Sequence, residues 1–133
     1  MPDNELITFA STGKKAREQQ IWGSVEVLTS GPGFQARRLT LKPLKALSLQ
    51  WHRHRDEHWV IARGTAKVTV DNSEHTLGRG QSVNVPRTVQ HRIENISSVD
   101  PLEVIELQTG DYLADDDVVR IEEESDPANQ QPE

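Results

Sequence analysis

The chain has 133 residues, the size of one domain, and is long enough to bury a core without covalent staples. It contains no cysteine, which excludes disulfides and thiolate metal sites and leaves nitrogen and oxygen as the donors for any metal. Its 21 acidic and 15 basic residues give a formal net charge of -6, the wrong sign for neutralising a phosphate backbone; no stretch approaches the roughly 20 apolar residues of a membrane span. No nucleic-acid or membrane partner is expected, and the chain is read as cytoplasmic.

Residues 1–20 show little periodicity and are read as an N-terminal arm. Residues 21–121 are read as one domain, and from about Gly23 to Glu106 short runs of alternating apolar and polar residues are separated by turn residues, which predicts half-buried strands. The runs are 24–29, 34–42, 47–52, 58–62, 66–70, 74–77, 82–86, 90–95 and 102–109, with turns at 30–33, 71–73 and 78–80. So many short strands with no helix between them predict an all-β sandwich or barrel. Residues 122–133 are acidic, carry two prolines and hold little to bury, so they are expected to be disordered.

Residues 48–59, SLQWHRHRDEHW, carry the chemistry. In an extended strand Gln50, His52 and His54 share a face; the chain would then turn through Arg55 and Asp56, re-enter the sheet at Glu57, and meet His91 from a later strand. So many polar side chains among strand residues would lack partners inside a barrel unless a divalent ion satisfied them. Zn, Mn, Fe, Co and Ni all suit such a donor set. Trp51 should point away from this face, whereas Trp59 shares the parity of Glu57 and could wall the pocket. Gly64 and Gly80 are expected at turns needing positive φ.

The pattern Pro43, Gln50-x-His52, Glu57, Gly64, Gly80, Pro86, His91 and Asn95 resembles the two signature motifs of the cupins. The segments 22–28, 33–43, 47–70, 85–95 and 102–124 are similar to the type II mannose-6-phosphate isomerases, often fused behind a GDP-mannose pyrophosphorylase domain. The resemblance implies a small antiparallel barrel of the jelly-roll type with a metal in its mouth. Two ligand registers are open. In one, His52 and His54 form the histidine pair, but the gap to Glu57 is then short, and His58 is the better-spaced third ligand. In the other, Gln50 and His52 form the pair with Glu57 and His91, and His54 stands by as fifth ligand or acid/base. The second has ordinary cupin intervals throughout, and zinc is the leading metal.

The activity implied is conversion of mannose 6-phosphate to fructose 6-phosphate by proton transfer between C2 and C1. His54 and Glu57 are the candidate bases. Arg37, Arg38, Lys42, Arg92 and Arg120 are candidate phosphate holders, Arg37 and Arg92 foremost. The chain departs from the subfamily at Gln20, Val25, Leu44 and Thr88, where arginine, tyrosine, glycine and glycine are usual. A non-catalytic sugar-binding cupin and another metal-dependent cupin enzyme, a dioxygenase or an epimerase, are the alternatives. A homodimer is expected, because a barrel of this size leaves sheet edges that proteins usually cover.

Overall fold

The computed structural model describes residues 17–121; the arm before residue 17 and the acidic tail from 122 lie outside the described residues. Eleven strands are described: β1 Arg17–Gln20, β2 Gly23–Gly31, β3 Phe34–Leu41, β4 Gln50–Trp51, β5 Arg55–Arg63, β6 Ala66–Val70, β7 Ser73–Leu77, β8 Ser82–Val85, β9 His91–Asn95, β10 Leu102–Gly110 and β11 Val119–Arg120. All pair antiparallel, in two sheets ordered β1-β2-β3-β10-β5-β8 and β11-β4-β9-β6-β7. No helix occurs among the described residues, so none crosses a membrane. The expected barrel is two sheets facing each other across one core, not a single closed ladder.

Alternation decides what the sheets bury. On β3 the inward residues Leu39 and Leu41 are fully buried; on β5 they are Trp59 and Ile61, and on β10 Leu102 and Val104. The facing sheet contributes Ala66, Val68, Ile93 and, before β4, Leu47. Each large aliphatic side chain taken from water in this way contributes roughly 1.5–3 kcal/mol.

The sequence boundaries hold best where alternation is clean: 66–70 and 34–42 match β6 and β3 closely. The run 47–52 contracts to the two residues of β4, because Leu47 and Ala46 pack as core and bridge residues outside a ladder. The turn expected through Arg55 and Asp56 is instead the start of β5, where Arg55 pairs with Gly110 and Asp56 with Thr109 on β10. Strands β1 and β11 were not foreseen; neither carries an apolar alternation.

Gly64 and Gly80 do adopt positive φ, 94° and 88°, and a Cβ on Gly64 would sit 2.8 Å from the Pro101 carbonyl oxygen. More informative are Leu44 and Thr88, which hold φ of 61° and 69° at the two positions where the resemblance leads one to expect glycine. Both residues adopt a left-handed backbone that glycine would adopt without strain. Asn95 closes the opposite end of the core: its Nδ2 donates to the carbonyls of Leu41, Lys42 and Asp100, and its Oδ1 accepts from Ser97 N.

Thr88 is exposed, so relief of its strain is the main term in a glycine substitution. Left-handed strain of about 1–2 kcal/mol, less the unfolded-chain entropy of glycine, leaves Thr88→Gly more stable by roughly 0.5–1 kcal/mol. Urea unfolding should show this as a higher midpoint at unchanged slope; a lower midpoint would refute the assignment of strain.

Candidate metal centre

At one end of the core the inward positions of the large sheet change from apolar to polar. Cross-strand pairing sets Arg37 and Trp59 on either side of Glu106, and Gln35 and Glu57 on either side of Gln108. The rows are joined by hydrogen bonds: Arg37 Nε donates to Glu106 Oε1 (2.7 Å), Trp59 Nε1 to Glu106 Oε2 (3.1 Å), Gln108 Nε2 to Glu106 Oε1 (3.0 Å) and Gln35 Nε2 to Gln108 Oε1 (3.1 Å). Such a network is tolerable inside a protein because its members satisfy one another.

Glu57 faces two histidines of the other half of the molecule. His52 lies just after β4, and His91 opens β9, opposite Gln50 in the ladder. All three side chains are buried, and one donor atom from each falls within 4.8 Å of the others. His52 Nε2 is 3.2 Å from Glu57 Oε2, and His91 Nε2 is 3.9 Å from Glu57 Oε1. Both rings are oriented from behind: His52 Nδ1 is 2.8 Å from the Asp117 carbonyl oxygen, and His91 Nδ1 is 3.0 Å from that of Val89. A carbonyl can only accept, so each Nδ1 carries the proton and each Nε2 presents a lone pair to Glu57.

Electrostatics keep the rings neutral. Burial, then the charge of Arg55, lowers the His52 pKa to about 4, and burial lowers that of His91. Glu57 is raised above the usual carboxylate range by burial and then by Glu106, with which it shares a hydrogen bond. Burial would raise Glu106 too, but the Arg37 guanidinium together with hydrogen bonds from Glu57 and Trp59 outweighs it and holds that carboxyl low. His91 Nε2 is buried without a hydrogen-bond partner among the described residues. Two imidazole lone pairs and a carboxylate, backed by carbonyls on the distal nitrogens, could hold a metal ion.

The other expected site residues separate. Gln50 and Arg37 line a cavity of about 160 Å³ together with His52, Arg55, Asp115 and Arg120. His54 does not join the cluster: its side chain is 57% exposed and its Nδ1 lies 3.0 Å from Asp117 Oδ1. The shared face expected for Gln50, His52 and His54 ends at His52, because the chain bends at Arg53 and His54, whose amides donate to the Asp117 carboxylate. His58, the third ligand of the other register, sits on the outer face of β5 against Asn84. Arg92 alternates with the inward His91 and Ile93, which puts it on the opposite face of β9 from the cluster. Trp59 does wall the site, meeting His91 edge-on at 5.4 Å.

Sequence reading missed Arg55. It is buried, its Nε donates to Glu57 Oε2 at 2.8 Å, and its Nη2 lies 3.3 Å from His52 Nε2. Its parity with Glu57 and Trp59 was the available signal, hidden by the turn expected there. Glu106 and Gln108 were equally visible as polar residues in the inward phase set by Leu102 and Val104.

The protein family described as "Mannose-6-phosphate isomerase C-terminal" matches residues 11–123. Mannose-1-phosphate guanylyltransferase of Escherichia coli K12 is 44% identical over 99 residues, covering 74% of this chain and 20% of the relative. The xanthan biosynthesis protein XanB of Xanthomonas campestris (strain B100) is 45% identical over 102 residues, covering 77% and 22%. The chain thus spans about a fifth of the length of these relatives. Among solved structures, oxalate decarboxylase from Bacillus subtilis superposes with a TM-score of 0.71 at 16% identity, covering 79% of this chain and 29% of that one. The Cnp3 cupin domain of Schizosaccharomyces pombe does so with a TM-score of 0.61 at 18% identity, covering 71% and 68%. These last two likenesses concern the fold. By fold the protein is a cupin, and by sequence it belongs to the mannose-6-phosphate isomerase C-terminal family.

Proposed function

We propose that this domain is a metal-dependent sugar-phosphate isomerase that interconverts mannose 6-phosphate and fructose 6-phosphate. The observation that carries the reading is the buried His52–Glu57–His91 group, of which His52 lines a cavity whose wall also holds Arg37, Arg55 and Arg120. His52, Glu57 and His91 would hold one divalent ion, zinc by preference, with Gln50 adding its side-chain oxygen from the cavity wall. A bound ion of this kind acts as a Lewis acid towards a carbonyl oxygen.

The chain's own residues account for binding and proton movement. An acidic protein repels anions at long range, so a phosphorylated sugar must be caught by a local cationic cluster. Arg37 is anchored by Glu106 through Nε, which fixes the direction of its guanidinium along the cavity wall. Fixed guanidinium groups give charge-assisted, bidentate hydrogen bonds to phosphate that lysine reproduces poorly. Of the two bases expected from sequence, Glu57 stands within the cluster and His54 is turned outward to Asp117, so we assign the C2–C1 proton transfer to Glu57. The relatives' names, a mannose-1-phosphate guanylyltransferase and a xanthan biosynthesis protein, support a hexose-phosphate setting.

Purified protein should carry close to one divalent ion per chain by elemental analysis, and His52→Ala or His91→Ala should remove it. Metal bound only to the folded state stabilises by mass action, so a chelator should lower the melting temperature of wild type but not of either variant. Variants that retain full stoichiometry would refute the site.

With metal loaded, wild type should form fructose 6-phosphate from mannose 6-phosphate in a coupled assay and leave free mannose unchanged. Arg37→Lys should weaken this by about 1.5–3 kcal/mol in kcat/KM, the scale of a hydrogen bond to a charged group, with the metal still in place. Arg92→Lys, on the opposite face of β9, should match wild type. Binding without conversion would make the domain a sugar-phosphate-binding module instead.

A further inference from the structure

The segment between β10 and β11, residues 111–118, supplies no donor to the His52–Glu57–His91 group, yet it is tied to that group at every level. A turn closed by Asp117 N on the Ala114 carbonyl sets its shape. Beyond it, β11 pairs Val119 with Trp51 and Arg120 with Gln50, and Ile121 N donates to the Leu49 carbonyl, so the strap runs antiparallel along the chain that leads into His52. Before the turn, the Tyr112 ring packs edge-on against His54 at 5.7 Å.

Asp117 is the point where these contacts converge. It is buried, and its carboxylate accepts from Arg53 N (3.1 Å), His54 N (2.9 Å) and His54 Nδ1 (3.0 Å). Its backbone carbonyl accepts a hydrogen bond from His52 Nδ1 at 2.8 Å. One residue therefore fixes the bend just after His52 with its side chain and the ring of His52 with its main chain. The two grips are coupled: the carboxylate anchors residue 117 to the bend, and that anchoring places its carbonyl against the imidazole.

We infer that Asp117 is a positioning residue for the metal ligand His52, holding its Nδ1–H tautomer and aiming Nε2 at Glu57. The inference rests on the reading of His52, Glu57 and His91 as a metal centre. Asp117→Asn is the informative change, since an amide offers one acceptor oxygen where the carboxylate offers two, and its NH2 group opposes one of the amide donors. The substituted chain keeps the backbone carbonyl but loosens the residue that carries it.

The experiment uses the full chain, Zn2+ in competition with a chromophoric chelator, and Co2+ for its visible absorption. Asp117→Asn should weaken Zn2+ binding about 10- to 100-fold, the usual effect of losing a group that orients a ligand, and should change the Co2+ bands. His54→Ala, which removes only the exposed contact, should bind Zn2+ like wild type. An Asp117→Asn protein that melts lower without metal but binds Zn2+ and Co2+ as wild type does would overturn the inference, because its role would then be only structural. Equal losses in His54→Ala would also overturn it, by pointing to His54 itself. Wild type that binds no Zn2+ would instead refute the metal centre. Should Asp117→Asn not fold, 15N-histidine NMR of wild type decides: an Nδ1-protonated His52 supports the inference, and an Nε2-protonated one overturns it.

Discussion

Two hydrogen bonds from imidazole to backbone govern the polar end of this cupin. Because the Asp117 and Val89 carbonyls can only accept, they fix the protons of His52 and His91 on Nδ1 and turn both Nε2 lone pairs inward. Were either ring to flip its tautomer, a buried backbone carbonyl would lose its donor and face a lone pair instead. Leaving a buried acceptor unsatisfied costs on the order of 1–3 kcal/mol. The orientation of the cluster is thus a property of the main chain at residues 89 and 117, in loops closed by Val89 N on the Pro86 carbonyl and Asp117 N on the Ala114 carbonyl.

The large sheet supplies the complementary half. Its inward rows place Glu106 between Arg37 and Trp59, and the same carboxylate meets Gln108 and Glu57. Arg37 lies against Glu106 and Arg55 against Glu57, so each buried carboxyl group of this sheet has a guanidinium beside it. Breaking one such pair would leave an uncompensated buried charge, typically a loss of about 3–5 kcal/mol, whereas replacing both members with apolar groups can be neutral. A stable core alone would favour the apolar solution found at the other end of the same strands, in Leu39, Val104 and Ile61. Retaining the polar rows next to the cluster is what a binding site requires and a core does not.

What could be seen in the sequence follows from how local its cause is. Strand alternation is local, so the inward phase of Leu39 and Leu41, of Val104, and of Glu57 with Trp59 was legible, and with it His52, Glu57 and His91 as a group. His54 leaves the shared face because alternation ends at a bend whose cause lies more than sixty residues away, in Asp117. Arg92 differs: its strand is regular, and the parity that His91 fixes puts its neighbour on the other face of β9. Asp117 itself carries no periodic signal, since its importance comes from the return of β11 along β4.

The strained residue Thr88 belongs to the same construction. Left-handed backbone at a β-branched residue persists only where surrounding bonds over-determine it. Here Thr88 N donates to the His52 carbonyl at 2.6 Å, Val89 N to the Pro86 carbonyl, and Arg87 N to Asp56 Oδ1 at 2.7 Å. The loop 86–90 is thereby pinned to the segment that carries His52, and one residue further on it presents the Val89 carbonyl to His91. His52 is consequently held from two directions, its carbonyl by Thr88 and its ring by Asp117, while His91 is held by the neighbour of Thr88. A glycine at 88 would adopt this geometry without strain. That threonine adopts it shows that the loop's position is set by its bonds to the segment that carries His52 and not by the preference of residue 88.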